Sequence, residues 1–422
     1  ATLNSPPLFD VGVTLPLHGS ADARAIAALA LKDTKSLLVL CENAGDAQRL
    51  ADEIAWFVPD IKVHPFPDWE TLPYDQLSPH QDLISDRLAT LYELSRGSIG
   101  VVLAPVSTAL QRLPPREYLA AHTFFIKRGD RLDVEALRQQ MTLASYTHVT
   151  QVVRAGEYCV RGGLIDLFPM GSAVPYRIDL LDTDVESIKT FDADTQRTLF
   201  PVPEVRLLPA REFPFDDVAR KRFRQNFRDK FEGDPSKRQL YKDVSAGIPT
   251  AGIEYFLPLF FDATATLFDY LPEGARVCLH QRVHKAIEDF WRDTRARHQL
   301  LGGDLSRPIM PPQELFLSEE AFFVGLRKFT RIDLPPLPDG PGLDGGALAA
   351  VLQNPSHYAT RALPDLGVDR RALDPLRKLR DWLPQHGGRV LISAESLGRR
   401  ETLLEFLRQN ELAPRVYADR KS

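Results

Sequence analysis

The hydrophobic and polar positions of this 422-residue chain change period several times. Ala21 to Lys32 is alanine-rich and favours helix. Ser36-Leu-Leu-Val-Leu-Cys41 follows as a continuous apolar run of strand length, the pattern of a parallel strand buried on both faces. From Asp46 to Phe57 apolar residues recur at helical spacing, at Leu50, Ile54 and Phe57. Ser78-Pro-His-Gln81 reads as a capping box with proline at the first helical position. The helix it opens would bury Ile84, Leu88, Leu91 and Tyr92 and stop near Gly97, and Val101-Val-Leu-Ala104 is the next strand. This β-α-β-α order predicts a doubly wound sheet over residues 1–117.

Residues 118–207 switch to strands separated by turns, with a helix around Val134 to Met141, and read as a small inserted α+β module. Its centre is the pair of short strands in Glu157–Pro169 and Pro175–Asp182, broken by Pro169 and Gly171. In the second strand Tyr176, Ile178 and Leu180 point one way, and Arg177, Asp179 and Leu181 the other. Arg161 falls near the same outer surface. Pattern alone leaves two readings open: a charged and apolar docking face, or an ordinary solvated face on which Arg177 and Asp179 pair with neighbours.

Residues 208–332 are mixed. Asp216 to Phe231 reads as a helix with Phe223, Phe227 and Phe231 on one side and Arg220, Lys221, Arg222, Arg224, Arg228 and Lys230 on the other. Gly274 to Leu279 reads as a strand and Ala286 to Leu300 as a helix. The Pro- and Gly-dense stretch Leu334–Gly346 marks a linker over 333–346. Beyond it, Arg389–Ala394 as a strand and a helix capped by Ser396 and running through Arg408 predict a small α/β domain over 347–422.

Apolar residues make up 44% of the chain and charged residues 26%, as in ordinary globular proteins. The net charge of −5 argues against a domain dedicated to nucleic-acid binding through backbone charge, while a local basic patch stays possible. Cys41, Cys159 and Cys278 are far apart and form no C-x-x-C, which points to a reducing compartment. With no signal segment and no apolar run of membrane-spanning length, the expectation is a cytoplasmic protein without membrane contact.

Phosphate chemistry is the first candidate, because a nucleotide fold places a glycine-rich loop before a helix. The available loop holds Gly19, Ser20, Ala21, Asp22 and Ala23: one glycine, no lysine, and a carboxylate that would repel a triphosphate. Asp68, Glu70 and Asp75 lie close in sequence, but nothing fixes the separation that paired-carboxylate catalysis needs. His280 and His284 have helical spacing without an H-E-x-x-H context, and no nucleophile elbow is present. No catalytic residue, cofactor or metal is expected. The basic side of the 216–231 helix is either a phosphate contact or a solvated face.

Several strings occur together in one order: Asp68-Trp-Glu-Thr-Leu-Pro-Tyr-Asp75, Ser78-Pro-His-Gln-Asp82, Gly156-Glu-Tyr158 with Arg161-Gly162, Asp166-Leu-Phe-Pro-Met-Gly171, Phe191-Asp192 with Gln196-Arg-Thr198, and Ala251-Gly-Ile-Glu-Tyr255. Over about residues 8 to 330 the chain resembles the N-terminal part of the bacterial transcription-repair coupling factors, itself similar to the excision-repair protein UvrB. The resemblance implies degenerate RecA-like, UvrB-type halves at 1–117 and 208–332, an inserted UvrA-binding domain at 118–207, and the family's small third domain at 347–422. It implies a part of a longer protein that reaches RNA polymerase and DNA through other domains, where its working ATPase also lies.

Departures from UvrB shape the expected function. The phosphate loop is degenerate at Gly19–Ala23, and His280-Gln281 stands where UvrB has its acidic pair, so metal-assisted phosphoryl transfer is not expected. The stretch matching the aromatic DNA-threading hairpin, Pro67 to Pro79, keeps only Trp69 and Tyr74. Carried over by resemblance, the UvrA surface comprises Arg161, Arg177 and the position of Leu181, where related factors have phenylalanine; Asp179 shares their face. The expected function is non-catalytic recruitment of nucleotide excision repair to stalled polymerase, with the UvrA surface masked by another domain of the full-length factor. A UvrB-type ATP-dependent helicase or translocase, and a DNA-binding scaffold using helix 218–231, are the alternatives.

Overall fold

The computed structural model describes residues 17, 19–32, 35–97, 100–304, 306–336, 364–369 and 372–416. The apolar run is strand β1 (Leu37–Cys41), buried at all five positions. It lies at the centre of a five-stranded parallel sheet with β2 (Val63–Pro65), β3 (Val101–Pro105), β12 (Arg276–His280) and β13 (Thr330–Leu334), in the order β13-β12-β1-β3-β2. Both faces are covered, which is why β1 reads as unbroken apolar sequence. Leu37, Val39 and Cys41 pack with Ile26 of helix α1 (Ala21–Lys32) and with Leu50 and Ile54 of α2 (Ala44–Phe57). Leu38 and Leu40 join the larger core on the other side. This is the RecA-like layer.

Helix α3 spans Gln81–Ser95 and buries Ile84, Leu88, Leu91 and Tyr92 as expected, but the expected capping box is not there. His80 is the N-cap, its Nδ1 accepting from the Asp82 amide at 3.3 Å. Ser78 is drawn away: its hydroxyl donates to Glu254 at 2.8 Å and accepts from the Gly252 amide. Strand β12 also runs to His280, one residue beyond the expected end, which brings His280 into the sheet.

Between β3 and β12 the chain builds a six-stranded sheet in the order β10-β9-β8-β7-β6-β5. Its strands are β5 (Thr147–His148), β6 (Glu157–Arg161), β7 (Leu164–Phe168), β8 (Tyr176–Leu181), β9 (Asp184–Phe191) and β10 (Thr198–Pro201). All pairings are antiparallel except β5 with β6. Strands β4 (Phe124–Lys127) and β11 (Glu204–Leu207) pair antiparallel beside it, and helix Val134–Leu143 is capped by Asp133. The inner face, with Tyr158, Ile165, Leu167, Ile178 and Ile188, belongs to the same core as the parallel sheet.

Polar contacts fix this insert to α3. Ser85 Oγ accepts from the Gly171 amide at 2.7 Å, Gln81 donates to the Ala210 carbonyl at 2.8 Å, and Arg206 pairs with Glu93 at 3.0 Å. Below them Arg87 and Glu212 form a solvent-free ion pair at 2.7 Å, and Trp69 Nε1 donates to the same carboxylate at 3.1 Å.

Trp69 and Tyr74 are therefore core residues, with no ring face offered to a base. Asp68 accepts from Ser107 and Thr108, and Asp75 pairs with Arg297, so two of the loop's three carboxylates are spent on its own folding, while Glu70 is exposed.

A second unit begins at Arg361. Helix Leu397–Gln409 is capped by Ser396 as expected, and helix Arg377–His386 precedes it. Residues 389–394 are not a strand: no ladder partner lies among the described residues, and Leu391 is 79% exposed. An apolar run becomes a strand only where another strand takes its backbone groups. The expected linker falls outside the described residues from position 337 onward.

Candidate functional site

Strand register brings three of the four predicted surface residues onto one face. Asp166 of β7 sits opposite Arg177 of β8, Leu164 opposite Asp179, and Arg161 of β6 opposite Leu164. Facing residues in paired strands share a side of the sheet, so Arg161, Asp166, Arg177 and Asp179 lie together on the outer face. Leu181 ends β8 just before the hairpin, where Asp182 takes a positive φ of 54°.

The hub of this face is Asp166, a buried carboxylate absent from the predicted set. Arg177 donates to it from Nε at 2.7 Å and Nη2 at 3.0 Å, and Arg161 Nη2 donates at 2.6 Å. Its place opposite Arg177 follows from the β7–β8 register, the signal that could have found it. Two guanidiniums offset the cost of burying one carboxylate.

The two arginines differ in exposure. The Arg177 side chain is 17% exposed; its guanidinium lies 4.8 Å over the Phe191 ring, and Nη1 donates to the Gln196 carbonyl at 3.2 Å. It ties the 192–198 loop to the sheet. The Arg161 side chain is 53% exposed with one nitrogen on Asp166, leaving donors facing outward. Asp179 accepts from Ser187 at 2.6 Å and Lys189 at 3.0 Å. Burial pushes its pKa up, but those hydrogen bonds prevail and hold it below the ordinary carboxylate value. Leu181, 65% exposed, lies at the rim of this face, beyond a register shift after Asp179 that interrupts the alternation expected along β8. On the edge strand β10, Leu199 and Phe200 add exposed apolar surface that sequence reasoning did not single out.

The loop expected to be a degenerate phosphate loop lies at the parallel sheet. Asp22, in the first turn of α1, accepts from His280 Nε2 at 2.8 Å and from Arg49 of α2 at 2.7 Å. Burial alone would raise the Asp22 pKa; these two partners instead bring it down to about 2. Two positions 258 residues apart in sequence thus meet in one hydrogen bond. Gln281, at a positive φ of 66°, donates its backbone N–H to the Leu334 carbonyl of β13 at 2.7 Å, and its side-chain amide lies 3.5 Å from His280 Nε2. Gly19 and Ser20 form the turn before the helix, and Ala23 is buried behind it. No ATPase motif is present in this arrangement.

No cluster of three or more His, Cys, Asp or Glu suited to a metal occurs among the described residues. His284 is not brought to His280; it stacks on Phe323 at 4.6 Å. The basic helix is Asp217–Lys230, capped by Asp216. Arg220 pairs with Asp217, Arg222 with Asp262, Lys230 with Glu314, and Arg228 donates to the Tyr241 hydroxyl. Three of its six basic side chains therefore face carboxylates. No helix among the described residues is long and apolar enough to cross a membrane.

Comparison with known proteins places the outer face within a matched domain. The profile of the UvrB interaction domain matches residues 124–213, and that of the MFD D3 domain matches residues 382–422. The chain is 41% identical over 399 residues to the transcription-repair-coupling factor of Escherichia coli K12, covering 94% of this chain and 34% of that protein. It is 40% identical over 408 residues to the Haemophilus influenzae factor, covering 96% and 34%. The Myxococcus xanthus factor is 28% identical over 436 residues, covering 96% and 35%. The chain thus spans about a third of the length of the curated relatives it matches.

Proposed function

Over the third of their length that it matches, the chain belongs to the transcription-repair-coupling factors, and from that membership we propose that it is a recruitment module with no catalysis of its own. It binds UvrA through the insert at 118–207 and brings nucleotide excision repair to a stalled RNA polymerase. Polymerase and DNA are reached through other parts of the full-length factor, one of which masks the UvrA surface until remodelling exposes it.

The observation that carries this reading is the asymmetry between the two candidate sites. The insert, which the match to a UvrB interaction domain covers from residue 124 onward, exposes Arg161 and Leu181 beside Asp166 and Arg177. An exposed guanidinium beside an apolar side chain on a rigid sheet suits a protein partner. The nucleotide position, by contrast, is filled with the chain's own Asp22 carboxylate.

The test is direct binding of the purified chain to UvrA without nucleotide. Arg161→Glu and Leu181→Asp are expected each to weaken binding by about thirtyfold, the scale of a 2 kcal/mol hot spot, with stability losses under about 1 kcal/mol. Wild-type affinity in both folded variants would sink the proposal.

A further inference from the structure

Four donors converge on the Asp22 carboxylate. The Ala23 amide, in the first turn of α1, donates to Oδ1 at 2.6 Å. Arg49 reaches both oxygens, Nη1 to Oδ1 at 3.1 Å and Nη2 to Oδ2 at 2.7 Å. His280 Nε2 donates to Oδ2 at 2.8 Å, and His280 is fully buried at the end of β12. A helix N-terminal amide, a bidentate guanidinium and an imidazole N–H make a cradle for a small oxyanion. The elements that supply it are separate in sequence: α1, α2 and β12.

We infer that this cradle is an oxyanion site occupied permanently by a tethered ligand, the Asp22 carboxylate, which holds α1, α2 and β12 together as a bound phosphate would. The chain therefore keeps the arrangement of a ligand-filled sheet with no free anion or nucleotide. This goes beyond the partner reading and does not depend on it. The His280 ring fits the role: its short polar contact is Nε2 to Asp22, with the Gln281 side-chain amide 3.5 Å from the same nitrogen, and its buried Nδ1 has no hydrogen-bond partner among the described residues. Burying an imidazole with one open nitrogen costs free energy, and a charge-assisted bond on the other nitrogen offsets it.

Truncating the tether tests the inference. Asp22→Ala removes one carboxylate and leaves a space of that shape among the donors. Its melting temperature is expected to fall by a few degrees, and sodium formate at about 100 mM to recover at least half of the loss through mass-action binding. Sodium chloride at equal ionic strength is expected to recover none. Asp22→Asn fills the space with an amide, so formate is expected to do no more for it than chloride does. An Asp22→Ala protein that responds to formate no more than wild type does would overturn the inference.

If Asp22→Ala does not fold, wild type and Arg49→Gln decide. With the cradle filled, inorganic phosphate is expected to shift the wild-type melting temperature no more than chloride, and by the same amount in Arg49→Gln. A phosphate-specific stabilisation of wild type that Arg49→Gln abolishes would mean that the site takes free anions, and the tethered-ligand inference would fall.

Discussion

Arg177 holds both oxygens of Asp166 across the β7–β8 pair, with Nε to Oδ1 at 2.7 Å and Nη2 to Oδ2 at 3.0 Å. This makes Arg177 a brace for the partner face as much as a part of it. Charge reversal there leaves a buried carboxylate facing a second carboxylate. Arg177→Glu is therefore expected to cost about 3 kcal/mol or more of stability, while Arg161→Glu costs under about 1 kcal/mol because its head is half in water. Urea denaturation of the two variants beside their UvrA affinities separates bracing from contact. Equal stability losses would refute the distinction.

The Arg87–Glu212 pair is expected to behave as a buried network does. Glu212→Ala strands a solvent-free guanidinium and leaves Trp69 Nε1 without its acceptor, so a loss of about 3–5 kcal/mol is expected. The double variant Arg87→Met, Glu212→Leu removes both charges and is expected to lose less than the single change. A double variant as unstable as Glu212→Ala would show that shape, not charge, dominates the joint.

Acid titration should report Asp22. Its folded pKa of about 2 lies below the ordinary 3.8 of an aspartate, so the carboxylate contributes stability above the unfolded value and loses it as pH falls towards 2. The contribution is about 2 kcal/mol by linkage. The stability gap between wild type and Asp22→Asn is expected to shrink by that amount between pH 5 and pH 2, read from urea midpoints. A gap that is constant across this window would contradict the assignment.

DNA binding by the 217–230 helix is expected to be weak. Arg220, Arg222 and Lys230 already face carboxylates, which halves the basic side chains able to release counterions. Reversing Arg224 and Arg228 is expected to change duplex affinity by less than about threefold, with a shallow salt dependence. Steep salt dependence lost in that variant would restore the scaffold reading.

Gly252 sits at a φ of 78°, and a Cβ there would approach the Asp75 carbonyl to 2.4 Å. Gly252→Ala is expected to cost at least about 1–2 kcal/mol from the left-handed conformation alone, with the clash on top. An unchanged melting temperature would count against this packing.

Local pattern sufficed where a residue's fate depends on near neighbours. The buried β1, α1 from Ala21 to Lys32, and the common face of Arg161, Arg177 and Asp179 all follow from period and pairing. It failed where a distant residue competes. Ser78 has the sequence of a cap, but Glu254 and Gly252, about 175 positions away, claim its hydroxyl. Asp22 looked like a mere obstacle to phosphate; its attachment to His280 required the β1–β12 pairing. Asp166 has no role legible in its motif, since only the folded register shows two arginines meeting on it. Residues 389–394 have the composition of a strand, yet strand formation is a property of two segments.

The chain leaves the parallel sheet at β3 and returns at β12, and these two strands flank β1 on either side. The whole segment between them, the insert included, is thus mounted at two points astride the central strand, with Arg87–Glu212 and the α3 contacts as a third. A partner gripping the outer face cannot swing it like a flag on one hinge. Whatever heading that partner takes is set by the sheet, and any pull it exerts is shared between two stretches of backbone and a buried joint.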